Sequence, residues 1–334
     1  MKVVIVGAGM TGAIAARRLT DLDHNVTVVE RRNHIGGNCY DEVNQEGILI
    51  QKYGPHHFHS NNKKIWQFLN YYAKFIEFPQ MAGVYIDKKI VPFPINQYSE
   101  LILGRKLNKK EILKKIFKNY SKKMWGKNWD ELPLEIKNRV PKKQDRFTMG
   151  YYASTYMGVP KLGYNYLFKK LLKGVPVLLN TDFLKIKNNF KDHIIIYTGS
   201  IDEYYNYKFG QLEYRTIKTK YKTLNRRSYQ DYHIVYYPPF NKPYIKIIEF
   251  KKYYLDLNNK KTTIGFCYAH QAQTPDERLY PINILRNKNL YQKYLNYSKN
   301  DNIIFCGRLG DYKYYHMDEA GQRAFDIVEE IKNG

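Results

Sequence analysis

Apolar and polar positions follow two different periods along this chain, and the switches between them mark its elements. Four consecutive β-formers, Val3-Val4-Ile5-Val6, run into a glycine-rich turn and then a helical pattern, and a second such run, Val26-Thr27-Val28-Val29, follows. The order predicts buried strand, helix, buried strand. Ile65, Phe68, Leu69, Tyr72, Phe75 and Ile76 recur at helical spacing ahead of Pro79, predicting one amphipathic helix over 61–78. Val84-Tyr85-Ile86 and Ile90-Val91 flank Asp87-Lys88-Lys89 as a hairpin. Helical spacing returns from about 98 to 123. The stretch 124–138, with Trp125-Gly126, Trp129 and Pro133, reads as a polar surface loop carrying aromatics, a mobile flap. Another helix is expected over 161–173, then a parallel strand at Ile194-Ile195-Ile196-Tyr197. Alternating β-formers over 206–270 predict an antiparallel sheet. A last strand, Ile303-Ile304-Phe305-Cys306, precedes a final helix from Met317 to Ile331.

This order predicts an α/β protein with a discontinuous Rossmann-like cofactor domain built from 1–60, 180–204 and 300–334. A mainly helical unit (61–80 and 97–179) and an antiparallel sheet unit (81–96 and 205–299) are inserted into it. No repeat and no Pro/Gly/Ser-rich linker separates them. A cleft is expected where the insertions meet the cofactor domain.

The turn after the first strand is Gly7-Ala8-Gly9-Met10-Thr11-Gly12, and the second strand ends at Glu30. Glycines there permit a tight turn and close backbone approach to a pyrophosphate, and the helix N-terminus offers free N–H groups to the anion. A carboxylate at the end of the second strand suits a ribose and disfavours a 2′-phosphate. Ile35-Gly36-Gly37-Asn38 adds a second glycine pair, which tilts the reading from NAD towards FAD bound extended.

Composition changes this picture little. A chain of 334 residues with 43% hydrophobic content can bury a core shared by two or three units. No apolar run reaches the roughly 20 residues needed to cross a bilayer, and no secretion signal is read. Cys39, Cys267 and Cys306 are too scattered for a disulfide framework or a zinc site, so no metal is expected and a cytoplasmic location is. The net charge of +24 is spread with lysine throughout the chain, and no nucleic-acid motif accompanies it. In its densest segment, Arg105 to Lys123, the lysines read as the solvated face of a helix, which leaves peripheral contact with anionic lipid open.

Many segments together resemble the UDP-galactopyranose mutase family over nearly the whole chain. They include His34-Ile35-Gly36-Gly37-Asn38, Lys52-Tyr53-Gly54-Pro55-His56, Phe58-His59, Pro94-Ile95-Asn96 and Lys122-Lys123-Met124-Trp125-Gly126. Further along stand Ile201-Asp202-Glu203-Tyr204, Phe209-Gly210, Leu212-Glu213-Tyr214-Arg215, Tyr280-Pro281-Ile282-Asn283 and Gly307-Arg308-Leu309-Gly310. The resemblance implies a flavoenzyme that interconverts pyranose and furanose forms of nucleotide-linked sugars without net oxidation. Reduced flavin N5 would attack the anomeric carbon while the nucleoside diphosphate leaves. It assigns Gly7, Gly9, Met10, Thr11, Gly12, Glu30, Arg31, Gly36, Gly37, Asn38, Tyr53, His56, Phe58, Gly307, Arg308 and Met317 to FAD. Arg139, Lys246, His59, Tyr314 and His316 would serve catalysis, with the cations holding the departing diphosphate. Asn96, Phe117, Tyr120, Trp125, Tyr151, Tyr236 and Tyr280 would bind substrate. A homodimer and an external reductant such as NADPH are also expected.

Some positions depart from the family's pattern. Lys246 stands where arginine is usual, keeping the charge but losing the planar fork. His316 stands in place of an aspartate and Tyr236 in place of an asparagine, and His57 replaces an aliphatic residue. UDP-galactopyranose is the default substrate, and a deoxy, pentose or otherwise modified sugar is the alternative. An amine-oxidase-like flavoenzyme and a catalytically dead sugar-nucleotide-binding flavoprotein are the rival readings.

Overall fold

The computed structural model describes residues 1–138, 140–144, 147, 150–256 and 258–333. A five-stranded parallel sheet runs in the order Val177–Leu178, Asn25–Val29, Lys2–Val6, Ile194–Tyr197, Ile303–Phe305. Its strands are Val/Ile runs because both faces are covered, as a parallel sheet requires. Ile5 sits between Val28 and Ile196 and is fully buried. The helix Met10–Thr20 lies on this sheet and against the last helix, Met317–Asn333, to which Thr11 Oγ1 donates at the Ala320 carbonyl, 3.0 Å away. Only glycine fits at 12, where a Cβ would stand 1.9 Å from the Gly7 carbonyl oxygen. The Rossmann-like half of the expected fold is thus present. Its edge strand, Val177–Leu178, comes from a stretch expected in the helical unit.

The second sheet has seven strands in the order Tyr280–Pro281, Tyr214–Leu224, Thr262–Gln271, Lys246–Glu249, Ile234–Tyr236, Ala82–Ile86, Lys89–Pro92. It is antiparallel, as expected, except that Ile234–Tyr236 runs parallel to Ala82–Ile86. The expected hairpin forms between Ala82–Ile86 and Lys89–Pro92.

Several local expectations are corrected. The helix expected over 61–78 covers only Lys63–Tyr72, and Phe75–Glu77 forms a strand instead. There Phe75 pairs with Pro160 and Ile76 with Val159 of the strand Tyr156–Pro160, whose other edge carries Phe58–Ser60. Strand pairing puts the Phe75 ring 5.0 Å from Trp66 and 5.8 Å from Phe58, burial that outweighs the helical spacing. The helical stretch from 98 is broken by Gly104, which ends Gln97–Leu103 at φ +72°. A new helix starts at Lys109, passes through a π-helical stretch, Leu113–Lys118, and ends as Asn119–Trp125. Met124 and Trp125 are therefore buried helix residues rather than part of a surface loop. The helix expected over 161–173 is Tyr164–Leu171, whose first N–H groups donate to the buried Asp41 carboxylate at 2.6 and 2.8 Å.

Candidate active site

A groove runs along the C-terminal edge of the parallel sheet. Gly7, Gly9, Met10, Thr11, Gly12, Glu30, Arg31, Gly37, Asn38, His56, Gly307, Arg308 and Met317 line it, all expected there from sequence. Gly9 caps the Met10–Thr20 helix with no side chain, leaving its first N–H groups open to the groove. Gly37, at φ +53°, packs so tightly on the glycine turn that a Cβ would stand 2.8 Å from the Gly9 Cα. Buried Glu30 ties these parts together, accepting from Ala8 N at 2.8 Å and from Arg32 N at 2.9 Å. Each carboxylate oxygen keeps a lone pair for a ligand hydroxyl. The glycine floor, open helix end and terminal carboxylate fit an extended dinucleotide.

Three expected cofactor residues lie elsewhere. Gly36 packs against Phe168, Tyr53 hydrogen-bonds His34 at 2.8 Å outside the groove, and Phe58 is wholly buried between Trp66 and Phe75. Arg278 escaped the sequence reading. Its buried guanidinium pairs with Asp202 at 2.9 Å and donates to Ser200, fastening the sheet unit to the groove wall, while Arg31 pairs with Glu203 at 2.8 Å.

A second cavity, of about 390 Å³, opens beside the groove. Its size falls in the range of small-molecule sites. His59, Phe117, Tyr120, Trp125, Tyr151, Tyr236, Lys246, Tyr280, Tyr314 and His316 all line it. Trp125 packs edge-on to Tyr280 and Tyr314, and Tyr236 lies 5.5 Å from Tyr120 and 5.9 Å from Tyr151, so the aromatic walls support one another. Two expected residues are not among them. Asn96 does not line the cavity: its side chain caps the helix Gln97–Leu103, accepting from Tyr98 N at 2.9 Å and Ser99 N at 3.3 Å. Arg139 lies outside the described residues. Tyr152, His57 and Gln80 line the cavity unanticipated, and Tyr152 stacks on His59 with centroids 3.6 Å apart.

The electrostatics of this cavity favour an anion. Its described lining carries Lys246 and Arg308 and no Asp or Glu. Burial lowers the Lys246 ammonium pKa from its usual 10.5. Burial also raises the hydroxyl pKa of Tyr120, Tyr151, Tyr236 and Tyr280, that of Tyr151 to about 12, so these four stay neutral donors. His56 is held near pKa 3, first by burial and then by Arg308. Its Nδ1 faces the Gly54 carbonyl at 2.9 Å, which accepts only, so Nδ1 carries the proton and Nε2 the lone pair.

His56, Arg308, His316 and Met317 line both groove and cavity. A molecule lying in the groove therefore meets one in the cavity across these four residues, at the start of the long helix Met317–Asn333, whose N-terminus favours negative charge. Arg308 is steadied there by donating to the Tyr315 carbonyl at 2.6 Å.

The comparisons with known proteins agree with this layout. The UDP-galactopyranose mutase family model matches residues 115–314, and an NAD(P)-binding Rossmann-like domain model matches residues 5–72. The chain is 30% identical to the UDP-galactopyranose mutase of Mycoplasma genitalium over 95% of its length and 91% of the relative's. It is 29% identical to the dTDP-fucopyranose mutase of Escherichia coli over 99% of each. A crystal structure of a reduced UDP-galactopyranose mutase superimposes with TM-score 0.79 at 14% identity, covering 99% of this chain and 95% of that one.

Proposed function

This chain belongs to the UDP-galactopyranose mutase family, and we propose that it is an FAD-dependent, non-redox isomerase that converts a nucleotide-linked pyranose to its furanose form. UDP-galactopyranose is the default substrate. The observation that supports this reading is the wall shared by groove and cavity at His56, Arg308, His316 and Met317, across which a cofactor in the one would meet a sugar nucleotide in the other. When bound, reduced FAD supplies a nucleophilic ring nitrogen, N5, to the anomeric carbon.

The chain's own residues do the rest. The glycine turn, Gly37 and Glu30 hold the dinucleotide, with Arg308 and the N-terminus of Met317–Asn333 favouring its negative charge. Lys246 and Arg139 hold the diphosphate through departure and recapture, with the hydroxyls of Tyr120, Tyr151, Tyr280 and Tyr314 donating to its oxygens. Trp125 closes the cavity and keeps water from the opened sugar. His59 and His316 face the sugar.

A dTDP-linked deoxy sugar is the second reading. Tyr236 favours it, because its ring fills space beside Tyr120 and Tyr151 where a compact amide would leave room for a sugar substituent. No helix among the described residues is long and apolar enough to cross a membrane, and we place the enzyme in the cytoplasm as a homodimer.

The test is to incubate reduced enzyme with UDP-galactopyranose and dTDP-fucopyranose and follow products by NMR. Furanose forming without net consumption of reductant supports the reading. Steady oxygen or NADPH consumption stoichiometric with product would identify a flavin oxidase instead, and absence of turnover on every nucleotide sugar a dead flavoprotein.

A further inference from the structure

The helix Gln97–Leu103 turns Tyr98, Leu101 and Ile102 to solvent, a spacing that sets them on one face. Leu101 is 71% exposed, and Phe147, itself 55% exposed, packs its ring 4.5 Å from Tyr98. Single exposed apolar residues are ordinary, but four large ones gathered on one face mark a contact surface. The face is rigid from behind. Ser99 is fully buried and donates to the Pro92 carbonyl at 2.7 Å, and Asn96 caps the helix.

Positive charge surrounds this cluster. Lys89 donates to the Ile102 carbonyl at 2.7 Å, and Arg105 reaches Asp87 and Glu111 at 2.6 and 2.9 Å. Lys115 also holds Asp87, at 2.6 Å, and Lys143 holds Glu100 at 2.6 Å, so the nearby acids are all neutralised. Lys88, Lys106, Lys109, Lys110, Lys114 and Lys118 remain exposed and make no ion pair among the described residues. Phe117 and Tyr120, from the same helical run, point instead into the cavity.

We propose that this face docks the protein on an anionic phospholipid bilayer. Tyr98, Leu101, Ile102 and Phe147 sit at the boundary between headgroups and acyl chains, and the lysines lie over lipid phosphates. The charge complementarity of a +24 chain selects an anionic surface, and the exposed aliphatic pair selects lipid, since Leu101 and Ile102 gain nothing from a bare phosphate backbone. Because none of these side chains lines the groove or the cavity, docking leaves both sites unobstructed.

The flavin-loaded full chain is sedimented with phosphatidylcholine vesicles containing about 30% phosphatidylglycerol, and with phosphatidylcholine alone, at about 0.1 M and about 0.5 M salt. Binding is expected to the anionic vesicles only, and to weaken in high salt. Leu101→Asp with Ile102→Asp should lower the partition coefficient about tenfold or more, and Lys110→Glu with Lys114→Glu about tenfold. Leu285→Asp, at an exposed position elsewhere, should change nothing, and all variants should keep their flavin and their turnover of a soluble nucleotide sugar. Equal binding to both vesicle types, unchanged binding by the Leu101/Ile102 variant, or a wild type left in the supernatant overturns the proposal. If light scattering shows that variant splitting a dimer while the wild type ignores vesicles, the face joins two copies of the chain and the lipid reading fails.

Discussion

The imidazole of His316 meets that of His59 edge to face, their centroids 4.8 Å apart, and His59 in turn lies flat on Tyr152. The three rings form one block beside the junction of groove and cavity. An aspartate at 316 would offer acceptor oxygens to a sugar hydroxyl where the imidazole offers a ring edge. A hydrogen bond gained there is worth about 1 kcal/mol or slightly more. His316→Asp should therefore raise kcat/KM for UDP-galactopyranose about tenfold relative to dTDP-fucopyranose. Competition assays with both substrates would check it, and an unchanged ratio would remove His316 from sugar selection.

Lys246 should set an alkaline limit on activity. Its ammonium lies in the cavity with no carboxylate among the described lining residues, so desolvation depresses its pKa. As pH rises, the charge proposed to hold the diphosphate is lost earlier than an ordinary lysine would lose it. Lys246→Arg keeps its charge throughout and can engage two oxygens, so the alkaline limb of kcat/KM should move to higher pH and KM at neutral pH should fall about fivefold. Profiles that coincide would show that another group governs the limb.

The cofactor groove was legible in the sequence because its parts are local: strand, glycine turn and helix are contiguous, and Glu30 follows one strand later. The cavity was legible only through family resemblance, since Tyr120, Tyr236, Lys246 and Tyr314 come from distant segments. The structure gives other work to residues that can serve two ends. Asn96 at the head of a helix is a cap, and Ser99 three residues on, whose Oγ accepts from the Asn96 N–H, is the sign of it. In the strand Phe58–Ser60, side chains alternate, so sending His59 to the cavity sends Phe58 to the core. Arg278 could not be read because its partner, Asp202, is 76 residues away.

Acid should destabilise the fold through buried histidines. Burial holds His56 and His57 near pKa 3 and His233 near 4, against an ordinary 6.5. Between 6.5 and those values the unfolded chain binds more protons than the folded one, so stability falls as pH falls, by about 1.4 kcal/mol per pH unit for each histidine. Among the described residues neither buried ring nitrogen of His57 makes a well-formed hydrogen bond, the Phe78 backbone giving only a weak one, which adds a cost at neutral pH. His57→Leu should stabilise by about 1 kcal/mol at pH 7, and the gain should grow by about 1.4 kcal/mol per unit below about pH 6. Denaturant melts at two pH values would show it. A constant difference would mean that His57 is not buried neutral.

Lys123 joins the helix that carries Tyr120 and Trp125 to the loop between the strands Ile234–Tyr236 and Lys246–Glu249 of the seven-stranded sheet. Its Nζ lies within 2.6 to 3.3 Å of the carbonyls of Tyr237, Pro239, Lys242 and Tyr244. On the same helix end, Arg215 donates to the carbonyls of Met124 at 2.7 Å and Lys123 at 3.1 Å. Two cations thus satisfy the last carbonyls of the helix and a loop that has no ladder of its own. Lys123→Met keeps the length of the stem but strips four acceptors of their donor. It should cost about 3 kcal/mol of stability. Because Trp125 and Tyr120 are displaced with the helix, KM for the nucleotide sugar should rise more than kcat falls, while bound flavin, held in the groove, should stay near stoichiometric. Loss of flavin in proportion to activity would show that the lock serves the whole fold rather than the cavity wall.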